Sequence, residues 1–273
     1  VRGEFIDLGG ARLYYYAAGS RGAGEPVVFL HGFATSGHLW GDVVSLMPPG
    51  RRHIVLDLLG HGRSDPPGAH SLTLRAHAER VVALLDALGI ANACVVGHGV
   101  GGGVAQSLAV HWPERVSRLA LIASIAFDRW PPRDLKLARA TLPITRRLPP
   151  SWLLSMVRTG LERGYANPVR ATHSIDRYAR PFTTNAGRDV LAQHIAALDA
   201  RESGTLGARL GELTMPASVI WGAQDPFLSV VLGRRLAAAI PGATFEVVTG
   251  ARHVVPEDAP RQVADALTVL FAR

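Results

Sequence analysis

The chain has 273 residues; 48% are apolar, 19% are charged, and a single cysteine, Cys94, is present. So apolar a chain is not disordered, and one cysteine excludes a disulfide scaffold. The formal charge of +7 raises nucleic-acid binding, but every basic residue except Lys136 is an arginine and no basic run is interleaved with aromatics, so no nucleic-acid partner is expected.

No stretch approaches the ~18 uncharged apolar residues of a membrane span. The segment 1–7 lacks the charged-then-apolar pattern of a signal peptide. With one cysteine, these features suit a reducing cytoplasm, the expected location.

In chain order, short apolar runs alternate with amphipathic ones. Strands are predicted at 11–17, at 27–30 (ending in His31-Gly32), at 54–57 and at 93–96 (ending in Gly97). Further strands are predicted at 119–123, 218–221 and 244–248. Runs apolar on both faces suit buried parallel strands. A helix over 72–88 places Leu74, Val81, Leu85 and Leu88 on one face and is closed by Gly89. Others are predicted from about Val100, over 229–240 and over 260–272. The alternation predicts an α/β fold with a doubly wound, mostly parallel sheet.

The rhythm breaks between 128 and 204, a stretch rich in proline and aromatic residues with helical pieces and no clean strand. It reads as a helical cap inserted between two sheet strands, leaving 1–127 and 205–273 as the core. Residues 128–180 carry eleven Arg/Lys against four acids, so this segment holds the whole net charge. Such a face is either simply solvated or attracts an anionic substrate, surface or partner.

The strongest chemical signal is Val95-Val96-Gly97-His98-Gly99-Val100-Gly101-Gly102, a buried strand running through a glycine-rich turn into a helix. It resembles the nucleophile elbow of the α/β-hydrolase superfamily, whose pattern is G-x-S-x-G, with Asp or Cys at the third place in some branches. Other segments resemble the same family in the same order. They are His31-Gly32-Phe33, Asp57-Leu58-Leu59-Gly60-His61-Gly62-Arg63-Ser64, Trp221-Gly222-Ala223-Gln224-Asp225-Pro226 and Ala251-Arg252-His253. The resemblance covers nearly the whole chain and is weakest in 128–204. The glycines at 97, 99 and 102 do not make a dinucleotide fingerprint, which belongs near a first strand with an acid some twenty residues on. No Walker A loop or metal-ligand spacing appears, so no cofactor and no metal are expected.

The resemblance implies roles for particular residues. His253 is the expected general base, with Asp225 fixing its tautomer. The backbone N–H groups of Phe33 and Val100 are the expected oxyanion donors. Gly99 falls at the nucleophile position and has no side chain. His31 and His61 are expected to shape loops, and the His98 side chain is expected to point away from the nucleophile slot. Trp130, Trp152, Tyr178 and Phe182 are candidates for lining a substrate pocket, and Arg129 or Arg180 for pairing with a substrate carboxylate. Ser124 is a candidate for the pocket floor. The implied substrate is a small, partly apolar ester or lactone; the oligomeric state is left open.

Glycine at position 99 excludes a covalent ester intermediate there. Three readings remain: a hydrolase that has lost its nucleophile, acid–base chemistry by His253 and Asp225 on water or on a substrate proton, or a non-catalytic small-molecule binder. Val100 stands where haloalkane dehalogenases have Trp, and Ala34 where epoxide hydrolases have Pro. Both departures favour a serine-type over an aspartate-type ancestor.

Overall fold

The computed structural model describes residues 3–19, 24–128 and 130–273. From the N-terminus the elements are β1 (Glu4–Asp7), β2 (Arg12–Ala18), β3 (Val27–Leu30), α1 (Gly41–Leu46), β4 (His53–Leu56), α2 (Leu74–Ala87), β5 (Ala93–His98), α3 (Val100–His111) and β6 (Val116–Ile122). Then come α4 (Arg133–Thr145), α5 (Pro150–Arg163), α6 (Pro168–Ala179), α7 (Asn185–Ala197) and α8 (Ala200–Gly207). The chain closes with β7 (Ala217–Gly222), α9 (Val230–Ala239), β8 (Thr244–Val248), α10 (Val255–Asp258) and α11 (Pro260–Phe271).

The strands form one sheet in the order β1-β2-β4-β3-β5-β6-β7-β8. β1 pairs with β2, and β2 with β4, antiparallel; all other pairs are parallel. Every residue of β3, β4, β5 and β7 is buried, because helices cover both faces. On one face α2, α3 and α9 pack Leu84, Leu108 and Leu236 against Val28, Val95 and Val219. On the other, α1 and α11 pack Val43 and Leu267 against Phe29, Val96 and Ile220. β1 had no clear sequence signal. It is an edge strand with mostly exposed residues, so burial imposes no pattern on it.

Between β6 and β7 the chain runs through five α-helices and, among the described residues, no strand. Part of this insertion has its own apolar cluster: Leu142, Leu153, Val157, Phe182, Leu191 and Ile195. Its two ends merge with the main core instead, through Trp130 at one side and Leu198 and Leu206 at the other. No helix among the described residues is long and apolar enough to cross a membrane.

The turn from β5 into α3 depends on close backbone approach. A Cβ on Gly101 would lie 2.4 Å from the carbonyl oxygens of both Leu30 and His31. Gly101→Ala is therefore expected to force α3 off β3 and destabilise the protein by roughly 2–3 kcal/mol. A lowered urea midpoint would register this; an unchanged one would mean that the contact relaxes freely.

Candidate active site

β5 ends at His98, and α3 starts at Val100. Gly99, between them, has φ +54° and ψ −118°, a region that side chains other than hydrogen enter only with strain. The turn is held tightly. The Gly99 N–H donates to the Ile122 carbonyl at 3.2 Å, and the Gly99 carbonyl accepts from the N–H groups of Gly102, Gly103 and Ile125. A Cβ built on Gly99 would stand 3.7 Å from His253 Nε2 and 3.5 Å from the Gly32 Cα, ordinary contact distances.

His253 lies in the loop after β8, and Asp225 in the loop after β7. His253 Nδ1 is 2.8 Å from Asp225 Oδ2. The Asp225 side chain is fully buried, and its Oδ1 accepts from the N–H groups of Phe227 (2.8 Å) and Leu228 (3.0 Å). A carboxylate facing Nδ1 makes that nitrogen the donor. The Nε2 lone pair is left toward the elbow.

Phe33 and Val100 line the same cavity as Gly99 and His253. Neither backbone N–H has a partner among the described residues. Two histidines fix the loop that carries Phe33. His61 Nε2 accepts from the Ala34 N–H at 3.2 Å, holding Ala34 at φ +56°. His31 Nε2 accepts from the Leu58 N–H at 2.9 Å, and its Nδ1–H donates to the Gly32 carbonyl at 2.8 Å.

The cavity holds about 120 Å³ and is mostly apolar, walled by Trp130, Leu135, Val157, Leu161, Leu198 and Phe227. That is close to the volume of a site for a benzene-sized molecule. Of the four predicted lining residues, the structure brings only Trp130 to it. Trp152 is 65% exposed on α5, because it falls on the solvent face of that helix. Tyr178 is buried elsewhere and donates its hydroxyl proton to Glu257 Oε1. Phe182 is buried with its ring edge-on to His61, within the insertion's own cluster. Ser124 is fully buried and does not floor the cavity: its hydroxyl donates to the Ile125 carbonyl and accepts from Gln106 Nε2. Arg180 lines a different groove, and Arg129 lies outside the described residues.

His98 also departs from expectation. Its ring lies 4.9 Å from that of His253 and lines the cavity. Its Nε2–H donates to the His253 carbonyl at 2.9 Å, fixing that loop. The aliphatic walls Val157 and Leu161 were missed because nothing local distinguishes them from ordinary helix-face residues. Phe227, two residues after Asp225, sets its ring 5.2 Å from that of His253.

Burial keeps several imidazoles neutral. It lowers His31, His77 and His98 to about 3, and His61 and His194 well below the usual value. In the unfolded chain such groups take a proton as pH falls through about 6.5. The folded chain resists until about 3, so in that window the unfolded chain binds more protons. Stability is therefore full above pH 6.5 and is lost as pH falls toward 3. The expected loss is about 1 kcal/mol per pH unit for each such histidine. The urea midpoint should drop between pH 7 and pH 5, and His77→Leu should make that dependence shallower by one histidine's share; a flat profile in the parent chain would contradict it.

An elbow after a central strand, an Asp–His pair from two later loops and a mixed eight-stranded sheet define a class. The chain belongs to the alpha/beta hydrolase fold family, whose profile matches residues 25–260. It is 32% identical over 251 residues to the dihydrolipoyllysine-residue acetyltransferase component of the acetoin cleaving system of Cupriavidus necator. That match covers 92% of this chain but only 64% of the relative's length. It is 30% identical to the 2-hydroxy-6-oxononadienedioate/2-hydroxy-6-oxononatrienedioate hydrolase of Paraburkholderia xenovorans, over 90% of this chain and 85% of that one. Among solved structures, an alpha/beta hydrolase fold protein from Burkholderia ambifaria superposes with a TM-score of 0.87 at 25% identity, over 97% of this chain and 99% of that one.

Proposed function

We propose that the protein hydrolyses a small, largely apolar ester or lactone by direct attack of water, with His253 as general base and no covalent intermediate. One observation carries this reading. His253 Nε2, with Nδ1 committed to Asp225, stands 3.7 Å from where a side chain on residue 99 would begin, and residue 99 is glycine. A water lying between residue 99 and Nε2, where the outer atom of such a side chain would stand, is within hydrogen-bond reach of the base.

In the proposed step the water oxygen bonds to the substrate carbonyl carbon as His253 Nε2 takes its proton. Asp225 stabilises the resulting imidazolium. The N–H groups of Phe33 and Val100 receive the oxyanion. Collapse of the tetrahedral species breaks the bond to the leaving alkoxide, which recovers the proton from His253. The small apolar cavity supports short acyl or aryl groups, and the relative named as a hydrolase supports the reaction class.

The test is rapid-mixing hydrolysis of a short-chain aryl ester by the unaltered protein. Linear release of the phenol from the first turnover is expected. A burst equal to the enzyme concentration would reveal a nucleophile elsewhere, and a rate no higher than that of buffer would refute the reading.

A further inference from the structure

The segment 128–180 walls the hydrolytic cavity with apolar residues, but none of its described basic side chains lines that cavity. Among the described residues lining that cavity, Asp134 is the only charged side chain besides the titratable His253 and His98. Part of the segment's charge is neutralised locally. Arg158 pairs with Asp176, Arg163 with Asp134, and Arg170 with Asp42. Arg177 in the last turn of α6 and Arg180 just after it have no ion-pair partner among the described residues. Both are exposed, and both line a groove of about 960 Å³ between α6 and the antiparallel edge of the sheet.

A third arginine on the same groove comes from the loop after β4. Arg63 lines the same groove and is held in place: its guanidinium lies 4.9 Å over the Tyr14 ring, and Nη1 donates to the Tyr14 hydroxyl at 3.0 Å. The acid in the groove is Asp57. It is 5% exposed, and its two oxygens accept from the N–H groups of Gly37 and Arg63. Its charge is engaged in holding these loops. His38, also in the lining, is exposed; partial desolvation and the nearby Arg177 lower its imidazole below the usual value. Hydroxyls of Ser36, Ser45 and Tyr16 complete the wall.

Three guanidinium groups lining one groove, with one internally committed carboxylate among them, suit a ligand group carrying more than one negative charge. A phosphoryl group offers that charge and several acceptor oxygens for bidentate pairing. A monocarboxylate would leave two of the forks unmatched. We propose that this groove binds a phosphorylated ligand through Arg63, Arg177 and Arg180, at a site separate from the hydrolytic cavity.

The experiment is calorimetric titration of the full chain with inorganic pyrophosphate, at low salt and at about 0.15 M salt. A parallel arm uses sedimentation with phosphatidic acid/phosphatidylcholine vesicles. Saturable pyrophosphate binding is expected, weakened several-fold by the added salt. Arg177→Glu with Arg180→Glu should weaken it by about tenfold or more, and Arg63→Gln by several-fold, while Arg146→Glu with Arg147→Glu should leave it within about twofold. If the vesicles also capture the parent chain and not the Arg177/Arg180 variant, a lipid headgroup is a source of the ligand; pyrophosphate binding alone marks a free solute. Absence of binding in both arms would overturn the site. So would an equal loss in the Arg146/Arg147 variant, which would mean diffuse attraction to a basic surface.

Discussion

Gly99→Ser is expected to convert linear ester turnover into burst kinetics and to raise the rate by roughly 10²–10⁴. The new Cβ would contact Gly32 and His253 at ordinary distances, 3.5 and 3.7 Å, so nothing must move to admit it. One further bond brings Oγ within hydrogen-bond reach of His253 Nε2, where the base can take its proton as it attacks the carbonyl. The N–H groups of Phe33 and Val100, without partners among the described residues, then face the oxyanion. The gain has a cost in stability, because φ +54° strains any residue with a Cβ; about 1–2 kcal/mol is expected in the urea midpoint. Gly99→Asp probes the other branch: an aspartate there would be alkylated by a small haloalkane and release halide. A folded Gly99→Ser protein with neither burst nor gain would show that residue 99 is not where a nucleophile acts in this chain.

His253→Ala is expected to remove about 10²–10⁴ of the hydrolytic rate in the parent chain and to abolish the burst in Gly99→Ser. Both forms depend on the same lone pair, so one substitution must disable both. Asp225→Asn should cost nearly as much with little change in KM. An amide in that buried place still receives the Phe227 and Leu228 N–H groups, but it no longer selects the tautomer that leaves Nε2 free. Steady-state kinetics on the folded variants reads this directly. Turnover that survives His253→Ala would place the base elsewhere.

Much of the fold was legible because it depends on local pattern. Runs such as 27–30 and 93–96 are apolar at every position, which only a strand covered on both faces requires. The elbow glycines were legible for a similar reason. Gly97 and Gly101 allow a separation that a single methyl would violate, and that requirement leaves a mark on sequence. The pairing of Asp225 with His253 could be anticipated from their order in loops after late strands, and the structure sets them 2.8 Å apart.

The walls of the site were much less legible. Trp152, Tyr178 and Phe182 are the kind of residues that line pockets, yet Trp152 is on the surface, Phe182 packs into the insertion's cluster and Tyr178 is buried with its hydroxyl on Glu257. Which face of an insertion helix meets the cavity depends on how helices cross, and an aromatic residue serves a core as well as a pocket. The same holds for charge. Composition placed the positive excess in 128–180, but pairing engages Arg158, Arg163 and Arg170, while Arg177 and Arg180 line one groove with an arginine more than a hundred residues away. His98 could not be placed either, since its partner is a backbone carbonyl 155 positions along.

The sequence by itself determined the α/β class, the glycine-rich turn after β5 and the placing of Asp225 and His253 in loops after late strands, because periodicity, glycine spacing and motif order are local properties of a chain. Only the tertiary structure decided the size and lining of the cavity, the tautomers of His31 and His61, and the placing of Arg63, Arg177 and Arg180 on one groove. Those are distances between residues far apart in the chain, set by the packing of helices on a sheet, and no local pattern encodes them.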